Sequence, residues 1–390
     1  MELPDYHGGS IVNLMRSIER GLGARPCDAA SAYPQSSALP PEALAGARNI
    51  VLLVIDGLGY DYLTRVGAGG ALHRHLKARL TSVFPSTTAT AVTSFLTGVG
   101  PQQHALTGWH VWLRELGCLA ATLRFSPRHG GEPLSKAGVA PRSVFTAEPM
   151  FDRLAANSHV VSPANIIDSD YNAAHCGLAL RRPYKELPEL FSALAGIVRS
   201  GAGRQFIHAY TCDLDAAAHT FGCASAELQD KFRQIDAAFA RFLDEIAGSD
   251  TLVIAVADHG FIDSPKSACI ELADHPQLAE TLLLPLCGER RVAYCYVRNG
   301  LAHTFEHYVQ TRLDHCAVLC RSAELIAQGW FGLGPANPRL AERIGDYALV
   351  MKGDYTIKDW ILGEQRHLTV GVHGGVSAAE MHVPLIVAEA

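Results

Sequence analysis

The residues best suited to metal chemistry in this sequence are acidic and histidine side chains that follow apolar segments. Asp56 comes directly after one apolar run, and Asp258 with His259 comes directly after another. Asp215 follows a third such run, and His219 lies four residues further along the chain. On a helix, residues at i and i+4 share one face, so these two side chains can reach a single cation. The residue types and their spacing therefore predict a metal site.

His373 is a further candidate ligand, because the glycines that flank it allow the backbone to approach a site closely. Asp213 is not a candidate, since its offset of six residues from His219 does not place the two on one helix face. His303 and His307 are also four residues apart, but no acidic residue lies at a suitable offset. We expect this second histidine pair on a solvated surface.

A hydroxyl-rich segment provides the candidate nucleophiles. Pro85 and Ser86 can begin a helix that Gly98 ends, which places Ser86, Thr87 and Thr88 at the positive N-terminal end. A phosphate binds favourably at such a helix start. The sequence contains no P-loop, dinucleotide-binding, serine-hydrolase elbow or H-E-x-x-H motif. This segment is therefore the leading candidate for phosphoryl chemistry.

Two continuous apolar runs, residues 49–55 and 251–257, predict strands that are buried on both faces of a parallel sheet, and residues 205–210 are predicted as a third strand. Each run ends at or shortly before a candidate ligand, and open α/β sheets bind ligands outside the carboxyl ends of their strands. Ser225 is the predicted cap of a helix whose apolar residues step by three and four. The alternation predicts an α/β fold with a mainly parallel central sheet between helices.

The domain organisation predicted from the sequence is one large core with inserted cap segments. We expect residues 45–390 to form the core and residues 1–44 to form an N-terminal helix and an irregular lead-in. The insertions are predicted at about 110–200, which is rich in turns, and at about 290–365, which has its own strand at 291–297. These segments are expected to build the pocket for the leaving group.

The composition describes a folded chain that does not rely on bulk charge. Of its 390 residues, 48% are hydrophobic and 18% are charged, against roughly 25% charged in an average globular chain. So apolar a chain can bury a large core, which excludes disorder as its main state. The net charge of -6 argues against a nucleic-acid polymer as partner. An anionic substrate must therefore be attracted locally.

The N-terminal sequence and the cysteines bear on location. No basic region precedes an apolar stretch, so no secretory signal is predicted, and no apolar run is long enough for a membrane span. The 10 cysteines are scattered without a C-x-x-C pair, which suits thiols in a reducing compartment. We predict a cytoplasmic protein, and the sequence leaves its oligomeric state open.

Taken in chain order, the candidate residues resemble those of the alkaline phosphatase superfamily. More narrowly, about residues 50–375 resemble the type I phosphodiesterase/nucleotide pyrophosphatase family, which implies an alkaline-phosphatase-like core with two zinc ions. Mixed His/Asp ligands are also compatible with manganese. The resemblance implies that one zinc is held by Asp215, His219 and His373, and the other by Asp56, Asp258, His259 and the nucleophile. The register of the family's nucleophilic threonine falls on Thr88, with Thr87 as the alternative.

The resemblance also implies a reaction: hydrolysis of phosphodiester or nucleotide pyrophosphate bonds in a small molecule through a phosphothreonine intermediate. Zinc coordination would lower the pKa of the Thr88 hydroxyl, which would attack phosphorus in line. Water would then hydrolyse the phosphothreonine. Two dications would also attract an anionic substrate whatever the net charge of the chain.

One position departs from the family pattern. Many nucleotide pyrophosphatases have an asparagine that contacts a phosphate oxygen shortly after the stretch equivalent to residues 97–104, and Trp109 stands at that register here. Trp109 offers one N–H and a stacking face but no amide. It is a candidate substrate-binding residue, with packing of the ring as the alternative. The preference for diester or monoester is left open.

Other functions on the same scaffold also stay open. A phosphomonoesterase or a phosphonate hydrolase would use the same ligands. A metal-dependent sugar-phosphate mutase would use a serine nucleophile, for which Ser86 is available. A non-catalytic protein would use the metal as a structural clip. The C/S-x-P-x-R motif of sulfatases is absent from the sequence.

Overall fold

The structure is a computed structural model that describes residues 1–364 and 366–390. Its strands are β1 (Asn49–Ile55), β2 (Leu76–Thr81), β3 (His110–Leu113), β4 (Cys118–Ala121), β5 (Ser126–Pro127), β6 (Asn157–Pro163), β7 (Leu180–Tyr184), β8 (Gln205–Thr211), β9 (Thr251–Val256), β10 (Ile262–Asp263), β11 (Cys269–Glu271), β12 (Cys287–Gly288), β13 (Val292–Cys295), β14 (Ala317–Arg321), β15 (Tyr347–Met351), β16 (Thr356–Lys358), β17 (Gly371–Val372) and β18 (His382–Glu389). Its helices are α1 (Ile11–Gly21), α2 (Asp28–Ser31), α3 (Glu42–Ala45), α4 (Tyr60–Val66), α5 (Ala71–Arg74), α6 (Thr88–Thr97), α7 (Pro101–His104), α8 (Pro141–Val144), α9 (Asp170–Cys176), α10 (Leu187–Ser200), α11 (Asp213–Phe221), α12 (Ala226–Glu245), α13 (Pro276–Thr281), α14 (Ala302–Tyr308), α15 (Ser322–Ala327), α16 (Leu340–Arg343) and α17 (Ala378–Met381).

The central sheet is built around β1. This strand pairs in parallel with β8 on one side and β9 on the other, and β6 and β7 continue the sheet in parallel beyond β8. β18 lies antiparallel between β9 and β2, which gives the order β2-β18-β9-β1-β8-β6-β7. Every residue of β1, β8 and β9 is buried. The predicted α/β fold with a mainly parallel central sheet is confirmed.

Helices cover this sheet with apolar stripes. In α12 the stripe comprises Leu228, Phe232, Ile235, Phe239 and Phe242, all of them buried. Burial of each such side chain contributes about 1.5–3 kcal/mol. The Ser225 side chain accepts a hydrogen bond from the backbone N–H of Leu228, as its sequence position predicts. The helix thus begins and packs as its periodicity indicates.

A second sheet joins two distant parts of the chain. Its order is β14-β15-β13-β12-β3-β4-β5, and its strands pair antiparallel. The strand predicted at 291–297 is the shorter β13 within this sheet. Because β12 pairs with β3, the two predicted cap segments form one structure.

The predicted insertion at about 110–200 differs in extent from the structure. Only its first part, β3 to β5, belongs to the second sheet, whereas β6 and β7 lie in the central sheet and α10 packs against them. β6 has no continuous apolar run, since Asn157, Ser158 and Ser162 interrupt it. β7 is the edge strand and is largely exposed. Strands at the margin of a sheet need fewer apolar residues, so the pattern that identified β1 and β9 is missing here.

The N-terminal segment packs onto the core. α1 has a capping box at Ser10, and it contacts α6 and α3. In the described part of the chain, no helix has the length and apolarity needed to cross a membrane. The cytoplasmic location stays a prediction.

Candidate active site

The carboxyl ends of three parallel strands meet at one edge of the central sheet. In the register of the sheet, Ile55 of β1 pairs with Thr211 of β8, and Val54 pairs with Val256 of β9. Asp56, at the end of β1, therefore lies between the start of α11, which follows β8, and Asp258, which follows β9. The strand order thus brings Asp56, Asp258 and the start of α11, with Asp215, to one edge.

The first cluster comprises Asp56, Asp258 and His259, all fully buried. His259 Nε2 lies 3.3 Å from Asp56 Oδ1 and 3.5 Å from Asp258 Oδ2. The backbone N–H of Gly57, at φ +77°, donates to Asp258 Oδ1 over 3.0 Å. His259 Nδ1 lies 3.1 Å from the carbonyl oxygen of Gly260. Donation from Nδ1 to that carbonyl directs the Nε2 lone pair toward the two carboxylates.

The second cluster comprises Asp215, His219 and His373. His219 Nε2 lies 3.4 Å from Asp215 Oδ1 and 3.3 Å from His373 Nε2, across one face of α11. His219 Nδ1 lies 2.8 Å from the carbonyl oxygen of Gly371, which fixes the ring in the same way. A Cβ on Gly371 would lie 2.6 Å from the carbonyl oxygen of Ala218. Only glycine therefore allows the His373 loop to approach α11 this closely.

The two clusters are contiguous. The rings of His259 and His373 stack with centroids 3.7 Å apart and planes 15° apart. Ligand atoms of Asp215, His259 and His373 lie within 4.8 Å of one another, as do those of Asp56, Asp258 and His259. His259 thus borders both clusters, and the predicted ligands form one continuous group.

The electrostatics of this group favour cations. Burial raises the pKa of Asp56 to about 6, and burial together with the charge of Asp56 raises the pKa of Asp258 to about 8. The pKa of Asp215 is also raised well above its usual range, first by burial and then by the other two aspartates. Burial lowers the pKa of His219 to about 4. Neutral imidazoles and mutually repelling carboxylates are the states that a divalent cation stabilises.

Unpartnered atoms provide a direct test of the fit to metals. Asp56 Oδ1, Asp215 Oδ1 and Asp258 Oδ2 are buried and have no hydrogen-bond partner among the described residues. Buried carboxylate oxygens without partners are costly in the absence of a ligand. These same oxygens face histidine Nε2 atoms, so the donor set fits divalent cations bound by mixed oxygen and nitrogen ligands.

Of the three candidate hydroxyls, the structure directs only Thr88 toward the clusters. Thr88 Oγ1 lies 3.1 Å from His259 Nε2. The Thr87 hydroxyl donates to Glu289 Oε1 over 2.8 Å, and the Ser86 hydroxyl donates to the carbonyl oxygen of Gly375 over 2.7 Å. α6 begins at Thr88 rather than at the predicted Pro85 or Ser86. Thr87, the residue before the helix, has an extended backbone with φ −141° and ψ 152°.

The remaining histidine and aspartate candidates lie elsewhere. Asp213 forms an ion pair with Lys231 over 3.4 Å. His303 and His307 lie on α14 and are exposed. This matches the expectation for each of these residues.

A cavity of about 930 Å³ opens in front of the site. Thr88, Asp215, His219 and His373 line one side of it, and Trp109 lines another. The backbone N–H of Trp109 donates to Glu289 Oε1 over 2.7 Å. The cavity is large enough for a small organic phosphoester.

The sequence analysis missed two residues that support the site. The Tyr210 hydroxyl donates to Asp56 Oδ2 and orients that carboxylate. Tyr210 lies at the carboxyl end of a predicted strand, so its position was a usable signal. Glu289 receives hydrogen bonds from Thr87 and Trp109, and burial raises its pKa to about 7. It follows a strand of two residues, β12, which leaves no periodic signal.

The fold and the site define a member of the alkaline phosphatase superfamily. Within it, the chain belongs to the type I phosphodiesterase/nucleotide pyrophosphatase family, whose model matches residues 50–375. This confirms the resemblance seen in the sequence, and it supports a hydrolase that acts on phosphoesters. A search of curated proteins found no match to the chain.

Solved structures support the same fold. Murine ectonucleotide pyrophosphatase/phosphodiesterase 5 superposes with a TM-score of 0.65 at 16% identity, covering 86% of this chain and 87% of that one. An inactive variant of the murine protein, in which threonine is replaced by alanine, was solved in complex with AMP and matches with the same TM-score at 15% identity. Phosphonoacetate hydrolase from Sinorhizobium meliloti 1021, in complex with phosphonoformate, gives 0.63 at 18% identity, covering 88% and 90%.

Proposed function

We propose that this protein is a two-metal phosphoesterase that hydrolyses phosphodiester or nucleotide pyrophosphate bonds through a phosphothreonine on Thr88. The observation that carries the proposal is the position of Thr88 Oγ1, at the start of α6 and 3.1 Å from His259 Nε2. Family membership supports the reaction class. The inactive threonine-to-alanine variant of the murine neighbour and its bound AMP support a threonine nucleophile and a nucleotide substrate.

The residues that would hold the metals are the two clusters. Asp56, Asp258, His259 and Thr88 would hold one cation, and Asp215, His219 and His373 would hold the other. Mixed carboxylate and imidazole ligands favour zinc, with manganese as the alternative. When bound, two such cations supply Lewis acidity that lowers the pKa of a hydroxyl and offsets charge on the transferred phosphoryl group.

The chain's own residues perform the rest of the chemistry. The free N–H groups in the first turn of α6, which begins at the cavity-lining Thr88, would donate to the phosphoryl oxygens. Thr88 Oγ1 attacks phosphorus in line, and the bond to the leaving group breaks as the Thr88 ester forms. Water then attacks the same phosphorus from the vacated side and releases phosphate or a phosphomonoester together with free Thr88.

The test is turnover of bis-p-nitrophenyl phosphate and p-nitrophenyl phosphate by protein stripped of metal and reloaded with zinc or manganese. Thr88→Ala should abolish metal-dependent turnover and retain metal content measured by plasma emission. Thr87→Ala and Ser86→Ala are matched controls, because they remove neighbouring hydroxyls that point away from the clusters. Loss of turnover in Thr87→Ala with activity in Thr88→Ala would move the nucleophile by one residue.

The same assay distinguishes the other functions of this scaffold. Preference for the monoester indicates a phosphatase, and phosphate release from phosphonoacetate indicates a phosphonate hydrolase. Loss of activity in Ser86→Ala alone, with transfer of phosphate between sugars, indicates a mutase. Metal-loaded protein that hydrolyses none of these compounds would contradict the proposal.

A further inference from the structure

The loop that follows His373 is held by one fully buried carboxylate. Gly374, at φ +106°, and Gly375 come directly after the histidine. Two consecutive glycines leave the backbone free to take many conformations unless other groups fix it. Glu380 Oε1 accepts the N–H of Gly375 over 2.8 Å, and Glu380 Oε2 accepts the Ser377 hydroxyl over 2.7 Å. The Glu380 side chain therefore fixes the backbone two residues after this candidate ligand.

The backbone of Glu380 contacts the loop of the other cluster. Its carbonyl oxygen accepts the N–H of Gly260, the residue after His259, over 2.8 Å. A Cβ on Gly260 would lie 2.1 Å from the carbonyl oxygen of Ala379, so only glycine permits this approach. β10, which begins shortly after His259, pairs with β17, which ends directly before His373. The two histidines whose rings stack are thus held together by bonds on both sides of His373.

Arg291 joins the same loop to the second sheet. It directly precedes β13 and is fully buried. Its Nε lies 3.0 Å from Glu380 Oε1, and its Nη2 lies 3.0 Å from Glu380 Oε2. Nη1 donates to the carbonyl oxygen of Tyr355, and the carbonyl oxygen of Arg291 accepts the N–H of Met351 in β15 over 2.9 Å. A guanidinium that binds one carboxylate at two points has a fixed orientation. Glu380 is therefore held in place relative to the second sheet.

Helix capping accounts for only part of this arrangement. Ser377 and Glu380 form the capping box of α17, a helix of four residues. Glutamine serves in a capping box as glutamate does, and neither requires a cation. The contact with Arg291 adds little net stability, because the removal of both charges from water offsets their attraction. The charge of Glu380 and its second partner therefore indicate a role beyond the stability of α17.

We propose that Arg291 and Glu380 are positioning residues that set the spacing of His259 and His373, and hence of the two metal clusters. Within the described chain, neither side chain lines the cavity or belongs to a metal cluster, so both act through the loops after the two histidines. The proposal rests on the proposed two-metal phosphoesterase function, since that function requires both clusters at once. A shift of about 1 Å in a reacting group lowers a rate on the order of 10²-fold, so this spacing matters for turnover.

The test compares Glu380→Gln and Arg291→Lys with the wild-type protein. Glutamine keeps the length of the side chain and its capping bonds, but it presents an N–H group to the guanidinium in place of one oxygen. Lysine keeps the charge of Arg291 but cannot bind both oxygens in a fixed orientation. Each variant should lower kcat for bis-p-nitrophenyl phosphate, and the affinity for cobalt(II), by about 10–100-fold. Cobalt(II) affinity is measured by competition with a chromogenic chelator.

The visible absorption spectrum of cobalt(II)-loaded protein provides a readout that is independent of turnover. Its bands depend on the arrangement of the ligands around the ion, so both variants should change their position and intensity. A purely structural role for the pair would lower the Tm without changing this spectrum.

Glu19→Gln is the matched control. Glu19 pairs with Arg153, and both side chains are fully buried. Arg153 also donates to the carbonyl oxygen of Thr97 over 2.8 Å, at the opposite end of α6 from Thr88. The control variant therefore removes one charge from a buried ion pair of the same kind away from both clusters. It should lower the Tm in EDTA no less than Glu380→Gln does, and it should keep the wild-type kcat and cobalt(II) spectrum.

A wild-type kcat and cobalt(II) spectrum in Arg291→Lys and Glu380→Gln would overturn the assignment and leave Glu380 as a helix cap. An equal loss of kcat in Glu19→Gln would also overturn it, because the loss would then follow from general destabilisation. Arg291→Lys keeps Glu380 and its capping bonds, so it decides the question even where Glu380→Gln does not fold. Absence of turnover by metal-loaded wild-type protein would contradict the phosphoesterase function, and the cobalt(II) spectra would still decide whether the pair positions the clusters.

Discussion

Buried carboxylates occur on both sides of the cavity, and their surroundings are opposite. At the edge of the central sheet, Asp56 and Asp258 are buried together, and among the described residues no arginine or lysine pairs with them and each has an unpartnered oxygen. Across the cavity, Asp359 is also buried, but Arg128 contacts one of its oxygens and the backbone N–H of Leu286 donates to the other over 2.8 Å. The first arrangement costs stability, whereas the second contributes to it.

The partners of a buried carboxylate distinguish a functional role from a structural one. A buried acid with matched partners is part of the fold, and a buried acid without them indicates a ligand that the chain is built to receive. By the same criterion, Arg128 is structural. The sheet edge therefore carries the acids that fit metal ions, and the paired network around Arg128 supports the scaffold.

The largest expected effect comes from exchanging one aspartate on each side for asparagine. Asp258→Asn should lower kcat on the order of 10²–10³-fold and weaken metal binding, because a ligand charge is lost. It should also raise the Tm of metal-free protein near neutral pH, since Asn needs no proton to be buried beside Asp56. Asp359→Asn should keep the metal content and lower the free energy of unfolding by about 1.5–3 kcal/mol, because Arg128 loses a charged partner.

These opposite outcomes are measured by thermal unfolding in EDTA and by metal analysis. Destabilisation of metal-free protein by Asp258→Asn would show that the sheet-edge acids contribute to the fold. The distinction between the two sides would then fail.

A smaller effect is expected from Tyr210→Phe, which removes the hydroxyl that donates to Asp56 and keeps the ring. Groups that orient a ligand typically contribute about 10–100-fold in metal affinity or activity. Competition with a chromogenic chelator should show this loss. Tyr296→Phe is the matched control, because the Tyr296 hydroxyl donates to the carbonyl oxygen of Glu342 in the second-sheet region. Equal metal affinity in both variants would exclude a positioning role for Tyr210.

The same division explains what the sequence could predict. The ligand-bearing half follows strands such as β1 and β9, which are buried on both faces and carry continuous apolar runs that identify them. Asp56 and Asp258 follow these runs directly, and Asp215 and His219 have helical spacing. Local pattern and strand order were therefore sufficient to place them at one edge.

The other half was not predictable in the same way. β12 has two residues, and β5 has two, so neither shows a period. Arg124 and Arg290 are far apart in the sequence and line the same cavity, in a region where β12 pairs with β3. The roles of Glu289 and Arg290 depend on which charged side chains the fold brings near them. A local segment of sequence does not contain that information.

The stability of metal-free protein should depend on pH through Asp258. Asp258 has a pKa of about 8 in the folded chain against an ordinary value of 3.8. The folded state therefore keeps a proton that the unfolded state has lost, and unfolding becomes easier as pH rises. Between pH 6.5 and 8 the ionisation of Asp258 alone should lower the free energy of unfolding by about 2 kcal/mol. Buried neutral histidines such as His219 oppose this trend at the lower end of the interval, because about half of the unfolded histidines carry a proton near pH 6.5. The Asp258 contribution is therefore the difference in slope between the wild-type protein and Asp258→Asn.

Thermal unfolding in EDTA at pH 6.5 and pH 8 measures this slope. Metal-loaded protein should lose it, because bound cations keep the carboxylates ionised. Asp258→Asn should reduce it without metal. Equal slopes in metal-free wild-type protein and metal-free Asp258→Asn would contradict the description of the sheet-edge acids as uncompensated.

The smallest expected effect tests the boundary between the two halves, at Glu289. This residue follows β12 of the second sheet, yet it accepts hydrogen bonds from Thr87 beside the nucleophile and from Trp109. Its carboxylate repels a dianionic monoester more than a monoanionic diester, and Gln keeps an acceptor without the charge. Glu289→Gln should therefore raise the ratio of kcat/KM for p-nitrophenyl phosphate to that for bis-p-nitrophenyl phosphate about fivefold.

The change should be larger at pH 8 than at pH 6, because the pKa of Glu289 is about 7 and the wild-type side chain is mostly ionised only at the higher pH. Glu148→Gln, at an exposed ion pair with Arg25, controls for loss of one charge elsewhere. A ratio that does not change would assign Glu289 a structural role.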